Sequence, residues 1–345
     1  MKALIYTGSE KLEVMYRWIG HLGGIDAVVR VLHASICGTG LHVLKNDVPD
    51  AHPVLLLGRE GVGVVSSIDS AVQRLQLGDR ELISRITSSD ACQYCQRVIS
   101  AHCRTGGRQL RKNIDGTQAE CVRVPHAALS LHPSPASIDP KAAVALSDAL
   151  ATGLEHGVPS SNGFHEDYMC RARWGFAILL TAQLSMPSSI VRVDLGETRH
   201  EMARKFSAHA TVSSSNLVTQ QRHMDMTQGE GFESFIEAVG IPAAFAMCHH
   251  FVAVGGWIAN VGARGTSVGL QLEYCGIEIL PKTPSRNGKA DMLGIHMSLV
   301  NVTSTPRLLR LMESGMLNIG SMRTHRTYFL NLNHLPERCT KASTT

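Results

Sequence analysis

The sequence predicts an α/β fold with two domains, and three observations support this prediction. The chain has 345 residues, which is more than one ordinary hydrophobic core holds. Its first part contains short strand-like segments between glycine turns, which is typical of an irregular, largely β domain. Further along, buried strands alternate with helices, which indicates βαβ units and a parallel sheet.

Short strands in the first part are predicted from alternating or continuously apolar segments. They fall at residues 2–6, 27–32, 61–65, 81–86 and 119–124. Glu81 and Arg85 interrupt the apolar face of the fourth strand. Asp139-Pro140 then predicts the start of a helix, because aspartate caps a helix and proline fits its first position.

Strands and helices alternate in the second part of the chain. Strands are predicted at residues 189–194, 235–240 and 257–262, and helices at 175–184, 197–206, 242–251 and 306–314. Residues 280–294 contain two prolines and an Asn-Gly pair, which predict a loop. The polar, patternless residues 330–345 are predicted to fray.

The overall composition excludes several classes of protein. The formal net charge is only +4 and there is no dense run of lysine or arginine, so nucleic-acid binding is not indicated. No apolar run approaches the roughly 20 residues that span a bilayer, so no membrane association is predicted. The amino terminus passes directly into a strand-like pattern, which predicts no signal peptide and a cytoplasmic location.

Cys37, Glu60 and Asp148 are candidate ligands for one metal ion. A thiolate and two carboxylates would supply the three protein ligands that a catalytic zinc site needs beside its open position. A single cysteine in a loop is more often a small buried apolar residue, and sequence spacing does not show whether the three converge. Arg59 lies beside Glu60, and a guanidinium cannot serve as a ligand.

Thr39 and His42 are three residues apart, so one helical turn would place them on the same face. A hydroxyl followed by an imidazole forms a plausible proton relay to solvent. The alternative is a helix-capping threonine and an unrelated surface histidine. Spacing alone favours that alternative.

Cys92, Cys95 and Cys103 form a close cysteine cluster. In a large chain without a secretion signal, such a cluster indicates metal binding before disulfides, and thiolates at this spacing suit tetrahedral zinc. A fourth ligand is missing, because Ser89 stands three residues before Cys92, where a fourth cysteine would complete the set. His102 or Asp90 could substitute. A metal-free loop with three reduced thiols is an equal alternative.

A dinucleotide-binding fold needs a glycine-rich turn between its first strand and helix. The available slot is residues 170–175, after a strand predicted at 165–169, and only Gly175 matches. Cys170 and Ala172 are predicted to crowd the turn where a pyrophosphate would approach the backbone. Asp194 follows Gly175 by about 20 residues, the spacing of the acidic residue that binds a ribose hydroxyl.

These residues stand in segments that resemble the medium-chain, zinc-dependent alcohol dehydrogenases, in particular bacterial members acting on small primary or secondary alcohols. The matching segments keep the family's order over most of residues 1–315. They are residues 36–39, 41–42, 57–58, 60–65, 78–80, 114–120, 146–148, 152–153, 179–184, 193–195, 236–242 and 258–262.

The resemblance implies a GroES-like, β-rich catalytic domain at residues 1–150, completed by about residues 295–345, and a Rossmann NAD-binding domain with a doubly wound parallel sheet at 151–294. It implies a zinc-dependent, NAD-linked alcohol dehydrogenase that oxidises small primary or secondary alcohols to aldehydes or ketones. Its cofactors would be Zn²⁺ and NAD. A homo-oligomer, either a dimer or a tetramer, is also predicted.

The same resemblance assigns roles to individual residues. Cys37, Glu60 and Asp148 correspond to the catalytic zinc site, and Thr39 and His42 to the proton relay. Cys92, Cys95 and Cys103 correspond to a structural zinc site. The cofactor-binding positions are Gly175, Asp194, Arg199, Val239, Gly240 and Val261, with Asp194 selecting NAD.

Departures from the family pattern affect catalysis, cofactor and structure together. Arg59 stands where the family has histidine, Gly40 where it has aspartate, and Ser89 where it has cysteine. These departures predict impaired catalysis. Two further hypotheses are a metal-free pseudoenzyme, in which Arg59 pairs with Glu60 or Asp148, and a zinc-free reductase that uses NAD(P)H.

Overall fold

The computed structural model describes residues 1–8, 11–45, 54–108, 110, 113–157, 167–172, 175–213, 225–262, 267–270, 294–296 and 300–319. The chain divides into two compact units. One contains Met1–Ala151 with Leu299–Thr345, and the other contains Thr152–Ser298. The loop predicted at residues 280–294, apart from its last residue, and the frayed segment predicted at 330–345 lie outside the described residues.

The described residues of the β-rich unit form two antiparallel sheets. Its strands are β1 Lys2–Gly8, β2 Lys11–Tyr16, β3 Ala27–Ala34, β4 Leu55–Leu56, β5 Gly61–Ile68, β6 Arg80–Ile83, β7 Cys121–Val124 and β8 Leu131–Pro133. The smaller sheet has the order β2-β1-β4 and the larger has the order β7-β3-β5-β6-β8. Fully buried apolar side chains such as Val29, Ile83 and Val122 form the core of the larger sheet. Strand β2 was not predicted, since most of its side chains are exposed and leave a weak apolar pattern.

The described helices lie in both units of the chain. The helices are α1 Gly38–Leu44, α2 Gln93–Gln96, α3 Ala127–Ser130, α4 Pro140–Ala143, α5 Ala149–Gly157, α6 Gly175–Ala182, α7 Glu197–Lys205, α8 Pro242–Phe251 and α9 Ser304–Glu313. The predicted cap of α4 is confirmed, because the Asp139 carboxylate accepts a hydrogen bond from the Lys141 amide at 3.0 Å. The helices predicted in the second part of the chain are confirmed as α6, α7, α8 and α9.

The described strands of the second unit form one parallel sheet. Its strands are β9 Asp167–Ala172, β10 Ser189–Asp194, β11 Ala210–Ser213, β12 Phe232–Ala238, β13 Val252–Asn260 and β14 Gly294–His296, in the order β11-β10-β9-β12-β13-β14. Counted within the unit this order is 3-2-1-4-5-6, that of the Rossmann fold. Val191, Phe235 and Ile258 have no exposed surface, as expected for a sheet covered on both faces. The predicted fold class is confirmed.

Strand β9 corrects the predicted position of the glycine-rich turn. The strand was expected to end at residue 169, but Cys170 pairs with Arg192 of β10, and Ala172 pairs with Ala238 of β12. Both residues therefore lie in the strand, and the prediction that they crowd the turn is wrong. The parallel ladder on both sides of β9 extends it beyond what its mixed side-chain pattern indicates.

Strand β6 carries a buried carboxylate. The side chain of Glu81 is 3% exposed, and the Arg74 Nη2 atom lies 3.6 Å from its Oε2 atom. Burial raises the pKa of Glu81 to about 7, although Arg74 partly opposes the shift. Glu81 interrupts the apolar pattern of β6, and in the folded chain its carboxyl group is therefore protonated below neutral pH.

The free energy of unfolding of the unmodified chain is expected to fall as the pH rises. Replacing Glu81 with glutamine is expected to remove this fall. Between the unfolded pKa of 4.5 and the folded pKa of about 7, only the unfolded state releases this proton, so the free energy of unfolding falls as the pH rises. The loss is at most about 3 kcal/mol across this window, since solvent screening reduces it. Urea unfolding at several pH values would measure it, with Glu13→Gln, on the exposed side of β2, as the matched control. Equal pH profiles for Glu81→Gln and the unmodified chain would contradict the prediction.

Candidate functional site

Cys37, Glu60 and Asp148 converge in the β-rich unit, as the zinc-site prediction requires. Cys37 immediately precedes α1, Glu60 immediately precedes β5, and Asp148 immediately precedes α5. One ligand atom from each residue lies within 4.8 Å of the others. All three residues are buried, with 6%, 3% and 1% of their surfaces exposed. Three residues, each directly before a different helix or strand, therefore form one buried cluster of polar side chains.

Two arginines form ion pairs with the carboxylate of Asp148. Arg59 approaches it with 2.9 Å between Nη2 and Oδ2, and Arg85 donates a hydrogen bond from Nη1 to Oδ1. The side chains of both arginines are almost buried, at 11% and 9% exposed. The predicted pairing of Arg59 with an acidic neighbour is confirmed for Asp148. The partnership of Arg85 was missed, because only its interruption of an apolar strand pattern marked it in the sequence.

The environment of Glu60 favours its protonated form. Burial raises the pKa of Glu60 to about 8, and the adjacent negative charge of Asp148 raises it further than Arg59 lowers it. The Ser35 hydroxyl donates a hydrogen bond to Glu60 Oε2, and Ser35 was not among the predicted site residues. Glu60 therefore favours its protonated form, next to an Asp148 carboxylate that two arginines pair.

The residues present do not fit a catalytic zinc ion. The two guanidinium charges offset both carboxylates even when Glu60 is ionised, and they leave one positive charge in excess when it is protonated. A zinc ion bound by Asp148 would compete with both ion pairs and would place a dication beside two buried cations. A three-ligand zinc site needs carboxylates that are free to coordinate, and Asp148 is not free.

Thr39 and His42 both lie on helix α1. The Arg59 Nη2 atom donates a hydrogen bond to the Thr39 hydroxyl at 2.9 Å. The same guanidinium group therefore joins Thr39 to Asp148. His42 follows one helical turn later and is half-buried, so the structure places the two residues on one face of the helix as the spacing predicts.

Cys92, Cys95 and Cys103 also converge, with their Sγ atoms within 4.8 Å of one another. Among the described residues, neither Asp90 nor His102 belongs to this group. Ser89 takes the fourth position, with its Oγ atom 3.3 Å from the Cys103 sulfur and 3.8 Å from the Cys95 sulfur.

Hydrogen bonds around this cluster favour the ionised thiol of Cys103. Burial alone would raise its pKa, but the hydroxyl and amide of Ser89 and the amide of Thr105 outweigh burial and lower the pKa to about 6. The Ser89 amide lies 3.4 Å from the sulfur. The cluster therefore offers a thiolate at neutral pH without any bound metal.

The predicted nucleotide-binding residues lie where the parallel strands end. Gly175 begins α6, Asp194 ends β10, and Arg199 lies in α7. Val239 and Gly240 directly follow β12, and Val261 follows β13. Ligands of such open sheets bind outside the carboxyl ends of the strands. The structure therefore places the predicted nucleotide-binding residues at the end of the sheet where a ligand is expected.

Glu237 organises this edge and was missed in the sequence. Its buried carboxylate accepts hydrogen bonds from the amides of Val239 and Gly240, both at 2.8 Å, and its carbonyl accepts one from the amide of Val261 at 2.7 Å. Gly240 has a φ of +85°, a conformation that suits glycine. An acidic residue at the end of an apolar strand was the available signal.

Asp194 is enclosed by two arginines. Its Oδ2 atom accepts a hydrogen bond from Arg192 at 2.6 Å, and its Oδ1 atom accepts one from Arg199 at 3.0 Å. Burial alone would raise the pKa of Asp194, but Arg192, the Leu195 amide and Arg199 outweigh it and hold the pKa below its usual value. The carboxylate is therefore ionised, and Arg192 is a neighbour that sequence reasoning did not identify.

Comparison with known proteins agrees with this architecture, which is that of a medium-chain dehydrogenase with GroES-like and Rossmann units. Residues 23–135 match the alcohol dehydrogenase GroES-like domain, and residues 175–312 match the zinc-binding dehydrogenase domain. The chain belongs to the zinc-type medium-chain alcohol dehydrogenase family.

Individual relatives span nearly the whole chain. Zinc dependent alcohol dehydrogenase 2 from Streptococcus pneumonia, solved in its apo form, is 32% identical with a TM-score of 0.90, covering 100% of this chain and 96% of that one. Alcohol dehydrogenase TADH from Thermus sp. ATN1 is 25% identical with a TM-score of 0.85, covering 99% and 97%. An alcohol dehydrogenase from Cupriavidus necator is 27% identical, covering 94% and 91%.

Among the described residues, no helix is both long enough and apolar enough to cross a bilayer.

Proposed function

We propose that this chain is an alcohol dehydrogenase-type oxidoreductase with impaired zinc-dependent chemistry. Its reaction would exchange a hydride between nicotinamide dinucleotide and a small primary or secondary alcohol or the corresponding carbonyl compound. The observation that carries the proposal is the doubly paired Asp148, which lies among the predicted zinc ligands but is held by Arg59 and Arg85. Family membership supports the proposed reaction class, and the ion pairs of Asp148 support the proposed impairment.

Thr39 and His42 are proposed as the proton path for the alcohol. Both lie on α1, one turn apart, and a hydroxyl that passes its proton to an imidazole is a common relay. In the unmodified chain Arg59 donates to Thr39, which leaves the hydroxyl oxygen engaged by a cation. The relay is therefore proposed to work poorly until Arg59 is removed.

The nucleotide is proposed to be NAD, bound at the strand ends of the parallel sheet. Asp194 would accept a hydrogen bond from a ribose hydroxyl and disfavour a 2′-phosphate. Arg199 lies beside it, and Gly175, Val239, Gly240 and Val261 would contact the rest of the dinucleotide. The ionised state of Asp194 supports this assignment.

A paired measurement of metal content and nicotinamide binding tests the proposal. Purified, dialysed protein is expected to bind NADH but to hold no zinc at Cys37, Glu60 and Asp148, with slow or absent alcohol oxidation. Stoichiometric zinc at this cluster would contradict the impairment. Failure to bind NADH would instead favour a metal-free pseudoenzyme.

A zinc-free carbonyl reductase is the second candidate. The buried Arg59 Nε atom has no hydrogen-bond partner among the described residues, and a guanidinium can polarise a carbonyl oxygen by donating to it. Rapid reduction of small aldehydes by NADH or NADPH in metal-free protein would support this candidate over the first.

A further inference from the structure

The cysteine cluster provides a complete set of sulfur ligands for three-coordinate metal binding and an incomplete set for four-coordinate binding. Cys92, Cys95 and Cys103 bring their sulfur atoms within 4.8 Å of one another, and Cys92 and Cys95 are 3.5 Å apart. A metal–sulfur distance of about 2.3 Å would separate the sulfurs of a planar three-sulfur site by about 4.0 Å. The described sulfur positions therefore require only small side-chain rotations to enclose one ion.

Serine hydroxyls surround the sulfurs where a fourth thiolate would be needed. Ser89 Oγ lies 3.3 Å from the Cys103 sulfur, and Ser88 Oγ lies 3.3 Å from the Cys95 sulfur. A neutral hydroxyl is a very poor ligand for structural zinc, which takes four nitrogen or sulfur ligands in closed sites. The same hydroxyls can donate hydrogen bonds to thiolate sulfurs, which reduces the sulfur charge that a dication needs.

We propose that Cys92, Cys95 and Cys103 form a binding site for a soft monovalent cation, Cu(I), rather than a structural zinc site. Thiolates select Cu(I) by their softness, and Cu(I) is satisfied by three of them. Zinc lacks its fourth ligand here, because Ser89 has replaced the sulfur that would close the tetrahedron. This inference does not rest on the proposed function, since its readout is metal binding.

Competition titrations on the full-length, reduced protein under anaerobic conditions test the proposal. The unmodified chain is expected to take one equivalent of Cu(I) from the chromophoric chelator bicinchoninate, and to lose its zinc on dialysis. X-ray absorption at the copper edge is expected to show three sulfur ligands. Cys95→Ser and Cys103→Ser are expected to abolish this equivalent, whereas Cys121→Ser and Cys248→Ser, outside the cluster, are expected to retain it.

Ser89→Cys supplies a gain-of-function test that does not depend on a destabilising loss. A fourth thiolate is expected to raise zinc affinity by about 100-fold, the scale obtained by dividing the free energy of a structural zinc site among four ligands. Far-UV circular dichroism would confirm that each variant folds.

Two outcomes would overturn the proposal. One is stoichiometric zinc that the unmodified chain retains after dialysis and that Cu(I) fails to displace. The other is Cu(I) binding that persists unchanged in folded Cys95→Ser and Cys103→Ser. If Ser89→Cys leaves zinc affinity unchanged, the role given to the missing fourth sulfur is also wrong.

Discussion

Replacing Arg59 with histidine is expected to raise zinc affinity at Cys37, Glu60 and Asp148 by at least about 100-fold. The substitution removes a fixed charge and supplies an imidazole ligand. Two unit charges at about 4 Å interact by roughly 4 kcal/mol at an effective dielectric near 20, and a dication doubles that repulsion. This repulsion is larger than the free energy that corresponds to a 100-fold change in zinc affinity, even after the solvent and side chains relax.

Arg85 limits what the single substitution achieves. It remains bonded to Oδ1 of Asp148 after Arg59 is replaced, so one oxygen stays engaged. Arg59→His combined with Arg85→Met is therefore expected to bind zinc more tightly than Arg59→His alone. Methionine preserves much of the buried volume of arginine without its charge.

Zinc must be counted at this cluster alone, so each variant is made in a background of Cys92→Ser, Cys95→Ser and Cys103→Ser. Arg59→Lys keeps the charge and is expected to leave the cluster without zinc. Arg59→Gln removes the charge without adding a ligand and is expected to give an intermediate affinity. Stoichiometric zinc in the background protein with Arg59 intact would refute the ion-pair explanation.

Replacing Asp194 with asparagine is expected to shift the nucleotide preference from NADH toward NADPH by about 10-fold to 100-fold. The change removes the charge that disfavours a 2′-phosphate and leaves Arg199 able to pair with it. A charge-assisted hydrogen bond contributes about 1.5–3 kcal/mol, which sets this range. Fluorescence titrations with both reduced nucleotides measure the ratio of the two dissociation constants.

Arg199→Met in the Asp194→Asn background provides the control for this shift. If Arg199 binds the 2′-phosphate, the double variant loses most of the gain in NADPH affinity. Arg192 is fully buried and paired with the same carboxylate, so the thermal stability of each variant must be compared. Tighter binding of NADPH than NADH by the unmodified chain would contradict the assignment of NAD.

Local sequence patterns determined much of the fold. The alternation of buried strands and amphipathic helices predicted β10, α7, β12, α8 and β13, because strand and helix periodicity is encoded within short segments. The cap of α4 was likewise readable from two adjacent residues, Asp139 and Pro140. The candidate metal ligands were chosen by residue type and, for the cysteine cluster, by spacing, and the resemblance to a known family assigned them to a catalytic and a structural zinc site.

Tertiary structure decided those parts of the site's chemistry that the pairing of Arg59 did not already predict. Arg85 and Asp148 are 63 positions apart, and no local pattern records that the guanidinium of one meets the carboxylate of the other. Strand β9 reaches Ala172 because partners on both sides extend its hydrogen-bond ladder. The carbonyl of Glu237 accepts a hydrogen bond from the amide of Val261, which follows the neighbouring strand and reaches Glu237 only when the sheet forms. Sequence periodicity reports which face of an element is buried, whereas charge pairing and strand length depend on neighbours that folding brings from distant parts of the chain.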